Sequence, residues 1–198
     1  MPSESLPPLS DATPVAPLLS SAELALIVTA QTTVDGMVVV LDSNVWIDIL
    51  VFDDPASRPI RAALERGELD VVIDPPCLVE LERVLDYPQF VRFAVDKQQA
   101  LAQTAKWTRP IAPAAETLAQ QLAERPRPIL PRCSDRDDQK FLELAAASGA
   151  AWLVTKDKAL LKLHKRLNRD FQCQIDRPAV FTAALGLSIV SPTPAVSV

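Results

Sequence analysis

From residue 37 onward, short segments rich in apolar residues alternate with longer stretches in which apolar residues recur every three or four positions. The short segments predict strands over residues 37–42, 69–73, 151–155 and 171–175. The first of them is a continuous apolar run as far as Leu41, which is typical of a strand buried on both faces. The longer stretches predict amphipathic helices over residues 57–65, 77–85, 89–105, 113–124, 137–147, 157–167 and 177–185. Strands that alternate with helices predict an α/β domain, in which right-handed crossovers build a parallel sheet.

The beginning of the chain has a different pattern. Residues 1–36 carry prolines among Ser, Thr and small apolar residues, which is typical of an irregular extension. A short helix or strand over residues 21–29, packed on the domain, is an alternative for part of it. The sequence therefore predicts a Pro-rich N-terminal extension over residues 1–36, a folded domain over residues 37–190 and a C-terminal tail over residues 191–198.

Length and composition indicate one domain. With 198 residues, of which 48% are hydrophobic, the chain can bury a substantial core. Its three cysteines lie far apart and form no CxxC pair, so we expect neither a zinc ribbon nor a disulfide framework, and we expect a reducing cytoplasm. The longest uncharged apolar run, residues 24–30, is far shorter than the roughly 20 residues that cross a bilayer. We expect no membrane span.

The net charge of −5 argues against a protein that coats nucleic acid without specificity, because phosphate binding depends on Lys and Arg. A local basic stretch nevertheless runs from Lys156 to Arg169 and contains a single acid, Asp157. Most of this stretch is expected to be a solvated helix face. Lys156 and Lys158, which flank Asp157, are the candidates for contact with a substrate phosphate.

Two acids closely follow predicted strands. Asp42 ends the first strand, and Asp157 comes two residues after the strand over 151–155. Because the carboxyl ends of parallel strands share one edge of the sheet, where such folds bind their ligands, both carboxylates are expected at that edge. Asp42 in particular needs a partner, since an acid at the end of a buried apolar strand is costly to desolvate alone.

Two further acids lie near predicted helix starts, which face the same edge. Glu80 lies in the first turns of the helix after the second strand, and Asp138 lies in the first turn of the helix after a proline-rich loop. Each acid taken singly is also explained as a helix cap or a surface charge. Four converging carboxylates would favour a hard divalent cation such as Mg²⁺ or Mn²⁺, which also accepts phosphate oxygens. That chemistry suits the hydrolysis of phosphodiesters.

Four segments of the chain place these acids among apolar neighbours. They are Val-Val-Leu-Asp42-Ser-Asn44-Val-Trp, Leu-Val-Glu80-Leu-Glu-Arg-Val-Leu, Cys133-Ser-Asp-Arg-Asp-Asp138-Gln-Lys-Phe-Leu-Glu-Leu-Ala and Ala-Trp-Leu-Val-Thr155-Lys-Asp157-Lys-Ala-Leu-Leu. In order and spacing they resemble the PIN-domain nucleases, in particular the PIN-family (VapC-like) toxins of bacterial type II toxin-antitoxin pairs. The resemblance covers about residues 37–185 and implies a three-layer α/β/α PIN-like domain with a central parallel sheet of about five strands.

Carried over by position, the resemblance implies four catalytic and metal-ligating acids, with the first of them most central: Asp42, Glu80, Asp138 and Asp157. The family register selects Glu80 over Glu82 by the Leu-x-x-Val-Leu pattern that follows it. It selects Asp138 over Asp137 by the three-residue step to Phe141. Glu82 and Asp137 remain the alternatives.

The resemblance also implies supporting polar roles for Ser43 or Asn44 and for Thr155, whose side chains would orient the carboxylates. Where the family often has Thr-Gly-Asp, this chain has Thr155-Lys156-Asp157, which places a cation beside the site. The stretch over residues 113–130 is also longer than the family pattern leads us to expect.

The function implied by the resemblance is a Mg²⁺- or Mn²⁺-dependent endoribonuclease that acts as a toxin, with RNA as substrate, an antitoxin protein as partner and a homodimer as its assembly. One alternative keeps the site but assigns it to RNA processing or to DNA. A second alternative, of another class, is a non-catalytic PIN-fold binding module in which the acids serve as caps and surface charges.

Overall fold

A computed structural model describes residues 36–124 and 128–189 of the chain. The predicted N-terminal extension, except for its last residue, lies outside the described residues, and so does the predicted C-terminal tail. The alternative element over residues 21–29 also lies outside them. Within the described part of the chain, no helix is both long and apolar enough to cross a membrane.

Strands and helices alternate through the described residues. The strands are β1 (Val38–Leu41), β2 (Asp70–Ile73), β3 (Thr108–Pro110), β4 (Trp152–Val154) and β5 (Gln174–Asp176). The α-helices are α1 (Ser43–Ile47), α2 (Arg58–Arg66), α3 (Pro75–Leu85), α4 (Lys97–Trp107), α5 (Ala114–Glu124), α6 (Gln139–Ser148), α7 (Lys158–Leu161), α8 (His164–Phe171) and α9 (Pro178–Ala184). A π-helical turn (Asp48–Phe52) extends α1, and a 3₁₀-helix (Pro88–Phe93) precedes α4.

The five strands form one parallel sheet in the order β3-β2-β1-β4-β5. Its central strand, β1, pairs with β2 on one side and with β4 on the other, where Leu41 lies opposite Val154. Helices cover both faces of a parallel sheet, which explains why β1 has apolar residues at every position instead of alternating apolar and polar residues.

Successive residues of each strand point to opposite faces of the sheet. Val39 and Leu41 pack into a core shared with α1, α2, α3, α4 and α9, whereas Val40 packs into a second core with α5, α6, α7 and α8. These three side chains are at most 3% exposed. The chain therefore forms three layers, helices on each side of a five-stranded parallel sheet, and the predicted fold class is confirmed.

Local sequence signals explain where several helices begin and end. Asp42, Asp74 and Asp157 each occupy the N-cap position of a helix and accept a hydrogen bond from a backbone N–H of its first turn. Gly149 ends α6 with φ at 65°, a left-handed conformation that side chains with a Cβ adopt only at a cost.

The single helix predicted over residues 89–105 is wrong. A 3₁₀-helix ends at Phe93, the chain turns at Ala94 with φ at 48°, and α4 begins only at Lys97, where the Asp96 side chain caps it. Apolar residues continue through both pieces, so their periodicity alone did not reveal the turn between them.

The predicted boundaries near the C-terminal strands also need correction. The helix predicted over residues 157–167 is two helices, α7 and α8, and α8 continues to Phe171. The strand predicted over residues 171–175 therefore begins only at Gln174. Strand β3 was not predicted, because Thr108-Arg109-Pro110 has no apolar run; as an edge strand of the sheet it tolerates a proline.

Candidate active site

The strand order reverses beside β1, because the chain adds β2 and β3 on one side of it and later adds β4 and β5 on the other. In parallel α/β sheets, the crevice outside the carboxyl ends of the strands at such a reversal is where ligands bind. The backbone N–H of Asp42 donates to the carbonyl oxygen of Val154 at 3.0 Å. The residues that follow β1 and β4 therefore lie side by side in this crevice.

Asp42 is buried in this crevice, with 3% of its surface exposed. Its Oδ2 accepts hydrogen bonds from the hydroxyl of Thr155 and from the side-chain amide of Asn44. Thr155, which is fully buried, in turn accepts a hydrogen bond of 2.9 Å from the backbone N–H of Asp157. Two of the polar residues predicted to support the site thus contact Asp42 directly.

The third such residue, Ser43, is also buried, and its Oγ has no hydrogen-bond partner among the described residues.

An open cleft of about 360 Å³ lies outside the carboxyl ends of β1 and β4. All four acids predicted from the sequence border it: Asp42, Glu80, Asp138 and Asp157. The structure therefore brings together carboxylates that come from four separate segments of the chain.

Helix capping leaves carboxylate oxygens free in this cleft. Asp138 occupies the N-cap position of α6, yet its side chain makes no capping hydrogen bond. Asp157 caps α7 through Oδ1, which accepts hydrogen bonds from the backbone N–H groups of Ala159 and Leu160 at 2.5 and 3.2 Å. Its Oδ2 accepts no hydrogen bond among the described residues. Capping thus accounts for part of Asp157 and for none of the Asp138 side chain.

The structure also distinguishes each predicted acid from its rival nearby in the sequence. The Glu80 side chain is 12% exposed and borders the cleft, whereas the Glu82 side chain is 53% exposed and pairs with Lys97 at 3.3 Å. Asp137 is exposed and does not border the cleft, although the adjacent Asp138 does. The positions selected by the family register are the ones that face the cleft.

The carboxylates affect one another's ionisation. The pKa of Asp42 is raised to about 6, chiefly because burial removes water from the carboxylate; the hydrogen bond from Thr155 opposes this shift, and the charges of Glu80 and Asp157 add to it. The pKa of Asp138 is raised to about 7 by burial and then by the charges of nearby acids, Asp42 first among them. A cation bound in the cleft would lower both pKa values, because it stabilises the ionised carboxylates.

The two lysines predicted to contact phosphate are placed differently. Lys156 borders the cleft, and its Nζ lies 2.5 Å from Oδ1 of Asp48, a residue that is only 2% exposed. Lys158, the first residue of α7, is exposed and does not border the cleft. The structure places the ammonium of Lys156 at the cleft by pairing it with a buried acid.

Several residues at or beside the cleft were not singled out from the sequence, among them Asp48, Phe52, Phe90 and Lys140. Asp48 begins the π-helical turn, a rare conformation that is frequent at functional sites, and holds Lys156. Phe52 and Phe90 line the cleft, with ring centroids 5.6 Å apart, and Phe52 is 42% exposed. Lys140 pairs with Glu80. No local pattern marks these residues, because their neighbours in space come from distant segments.

The donor set fits a hard divalent cation. Among the described residues, no three His, Cys, Asp or Glu side chains form a ready-made coordination group. Mg²⁺, however, keeps several waters and typically takes only one or two protein carboxylates together with substrate phosphates. Oxygen-only donors at an open cleft, two of them with pKa values raised by crowding and burial, match that requirement.

A sequence model of the PIN domain matches residues 38–159, a range that begins with β1 and contains all four acids of the cleft. The chain belongs to the PIN-domain family. The family resemblance inferred from the sequence is thereby confirmed. Membership indicates a nuclease, and PIN domains generally use divalent metal ions.

Solved structures also align with this chain, among them a complex from Rickettsia felis. A chain of the complex described as VapBC2 from Rickettsia felis bound to a DNA fragment from their promoter aligns at 14% identity with a TM-score of 0.44. The alignment covers 71% of the present chain and 98% of the Rickettsia chain. No curated protein matches the sequence.

Proposed function

We propose that this PIN domain is a divalent-metal-dependent endoribonuclease that hydrolyses RNA phosphodiester bonds. The observation that carries the proposal is the convergence of four carboxylates, Asp42, Glu80, Asp138 and Asp157, on one cleft at the carboxyl edge of β1 and β4. Capping and surface solvation do not account for this arrangement, since the Asp138 side chain caps nothing and Asp42 is buried.

In this proposal the protein holds a Mg²⁺ or Mn²⁺ ion with its carboxylates and keeps them oriented through neighbours. Thr155 and Asn44 fix the Asp42 carboxylate by hydrogen bonds. An ion held there would supply activation of a water molecule as nucleophile and stabilisation of charge on the leaving oxygen. Lys156, held at the cleft by Asp48, supplies a positive charge within reach of a substrate phosphate.

Two exposed aromatic rings, one in the cleft and one beside it, support a single-stranded substrate. Phe52 lines the cleft and is 42% exposed. Phe93, which is 38% exposed, packs edge to face against it, with ring centroids 5.0 Å apart. Exposed aromatic rings beside a cleft are suitable platforms for unpaired bases, and base stacking contributes about 1–3 kcal/mol per base. We therefore expect unpaired RNA to be preferred over duplexes.

A cleavage assay with a matched pair of variants tests the proposal. Purified native chain is incubated with single-stranded RNA, duplex RNA and single-stranded DNA of the same sequence, with Mg²⁺, with Mn²⁺ or with chelator. Cleavage of single-stranded RNA that requires the metal is expected, and Asp138→Asn is expected to abolish it. Asp137→Asn is the control, because this neighbouring acid does not border the cleft. Equal loss in both variants, or preferential cleavage of DNA, would contradict the proposal.

Calorimetric titration with Mn²⁺ separates a nuclease from a binding module. The native chain is expected to bind the ion, and Glu80→Gln is expected to weaken the binding. Glu82→Gln is expected to leave it unchanged, because Glu82 is exposed and pairs with Lys97. Absence of Mn²⁺ binding by the native chain would instead favour a PIN-fold module without catalysis.

We also propose that the enzyme is the toxin of a toxin-antitoxin pair, with an antitoxin as partner and a homodimer as its assembly. This proposal is supported by the motif resemblance to PIN-family toxins. Expression of the native chain is expected to arrest growth, and expression of Asp138→Asn is not. A neighbouring reading frame that encodes a short DNA-binding protein, and that relieves the arrest when co-expressed, would identify the partner. Growth unaffected by the native chain would count against the toxin role.

A further inference from the structure

One lysine forms an ion pair with an acid that borders the cleft. Lys140, in the first turn of α6, forms an ion pair with Oε2 of Glu80 on α3. Its ammonium also contacts the carbonyl oxygen of Asp137, and it lies 5.5 Å from the centroid of the Phe141 ring. The ion pair therefore connects two of the elements that supply acids to the cleft, since Asp138 begins α6 and Glu80 belongs to α3.

The buried carboxylate of Glu80 is compensated by the charge of Lys140. Its Oε2 is buried and accepts no aligned hydrogen bond among the described residues, so the Lys140 ammonium is the charged group that compensates it. The side chains of the two partners are only 12% and 20% exposed, which limits screening by water. Removal of one partner from such a pair leaves the other desolvated and uncompensated.

A second ion pair on the same helix provides a contrast. Glu82, two residues after Glu80, pairs with Lys97, but its side chain is 53% exposed. Exposed pairs of this kind contribute little, because water screens them. The Lys140–Glu80 pair thus differs from its neighbour in burial and in its position at the acidic cleft.

We propose that Lys140 is a positioning residue with two effects: it holds the Glu80 carboxylate at the cleft, and it offsets part of the negative charge that attracts a divalent ion. The inference rests on the proposed metal-dependent nuclease function. Lys156, which borders the cleft, is paired with Asp48 and so offsets a different, buried acid. Lys140 therefore lowers the affinity of the cleft for the divalent ion, while it holds the Glu80 carboxylate in the orientation that catalysis requires.

This dual role predicts two opposite changes in one variant. Lys140→Met removes the positive charge and frees Glu80, so Mn²⁺ should bind more tightly, by about fivefold to tenfold. The same substitution leaves Glu80 without the group that orients it, so the rate of RNA cleavage at saturating Mn²⁺ should fall by about 10- to 100-fold. A lysine with only a structural role would lower stability without tightening metal binding.

The experiment measures Mn²⁺ affinity by calorimetry and single-turnover cleavage of single-stranded RNA in native chain, Lys140→Met and Lys140→Arg. Lys97→Met is the matched control, because it removes the same charge from the partner of the exposed Glu82, an acid that does not border the cleft. We expect tighter Mn²⁺ binding with slower cleavage only in Lys140→Met, and partial rescue of both properties in Lys140→Arg. Lys140→Gln replaces Lys140→Met if circular dichroism shows that the latter does not fold.

The outcomes separate this inference from the function on which it rests. If the native chain binds Mn²⁺ and the neutral variants bind it with equal or weaker affinity, the inference is overturned and the nuclease proposal stands. If the native chain binds no Mn²⁺, the proposed function fails, and the inference fails with it. Equal tightening in Lys97→Met would mean that net charge alone governs the affinity, which would also overturn the inference.

Discussion

Asp42 and Asp74 have the same local setting and different surroundings. Each directly follows a four-residue strand whose last three side chains are buried aliphatic ones, each is the N-cap of the next helix, and they are 3% and 2% exposed. Each oxygen of the Asp74 carboxylate accepts a hydrogen bond of 3.1 Å from a backbone N–H, one from Cys77 and the other from Ala114. Asp42 instead receives its hydrogen bonds from Asn44 and Thr155 and faces three other carboxylates.

The difference follows from the position of each strand in the sheet. Strand β1 lies at the reversal of strand order, next to β4, so the group after it faces an open crevice. Strand β2 lies between β1 and β3, and the start of α5 covers its end, because the backbone N–H of Ala114 donates a hydrogen bond to Asp74. An acid at the end of a buried strand is thus a ligand candidate in one place and an internal cap in the other.

The largest expected effect that tests this comparison is loss of catalysis in Asp42→Asn. The substitution keeps size and removes a charge, so metal-dependent RNA cleavage should fall by on the order of 100-fold or more. The free energy of unfolding should be unchanged or slightly higher, because a desolvated carboxylate among like charges is replaced by a neutral amide. Single-turnover kinetics and urea denaturation measure the two quantities. Retention of more than about a tenth of the native rate would remove Asp42 from the site.

Asp74→Ala should show the opposite behaviour. Two buried backbone N–H groups lose their acceptor, so the free energy of unfolding should fall by about 2 to 3 kcal/mol, and Mn²⁺ binding by the folded protein should persist. Asp96→Ala is the control, because this exposed N-cap of α4 accepts a single backbone bond, from Gln99, and its loss should cost about 1 kcal/mol. Equal losses in the two variants would mean that the burial of Asp74 is energetically unimportant.

Thr155→Val is expected to have an intermediate effect on both properties. The hydroxyl donates to Asp42 and accepts from the backbone N–H of Asp157, so its removal should lower the free energy of unfolding by about 1 kcal/mol and the cleavage rate by about 10-fold. Thr117→Val, whose hydroxyl donates only to the carbonyl of Pro113, serves as the control away from the cleft. A Thr155→Val enzyme with the native cleavage rate would show that Asp42 is oriented without this hydroxyl.

The last prediction concerns the pH dependence of stability without divalent ions. Folding raises the pKa of Asp42 and Asp138 from 3.8 to about 6 and about 7, so the folded state holds more protons than the unfolded state between these values. Their contribution to stability is therefore full below about pH 4 and is lost as the pH rises through about 6 to 7. Denaturation of native chain and Asp42→Asn across this range should give a smaller decline in the variant. Identical slopes would contradict the raised pKa of Asp42.

Saturating Mn²⁺ should reduce the decline in the native chain, because the ion favours the ionised carboxylates.

Several elements of this protein could be predicted from local patterns. Runs of apolar residues identified β1, β2 and β4, because the parts of a strand that are buried on both faces need apolar side chains. The four acids that border the cleft were predicted because each lies close to the end of a strand or near the start of a helix. The carboxyl ends of parallel strands share one edge of the sheet, so these positions converge there. Strand β3 and the break at Ala94 were missed, because an edge strand and a turn place few demands on the local sequence.

The sequence by itself determined the α/β class, the family and the segments that carry the acids, since these depend on side-chain periodicity and on residues close together in the chain. Only the tertiary structure decided that β1 lies beside β4, that Glu80 and Asp138 face the cleft while Glu82 and Asp137 do not, and that Asp74 is an internal cap. It also decided that Lys140 and Asp48 join the site. The physical reason is that burial and charge pairing are properties of groups brought together from distant parts of the chain.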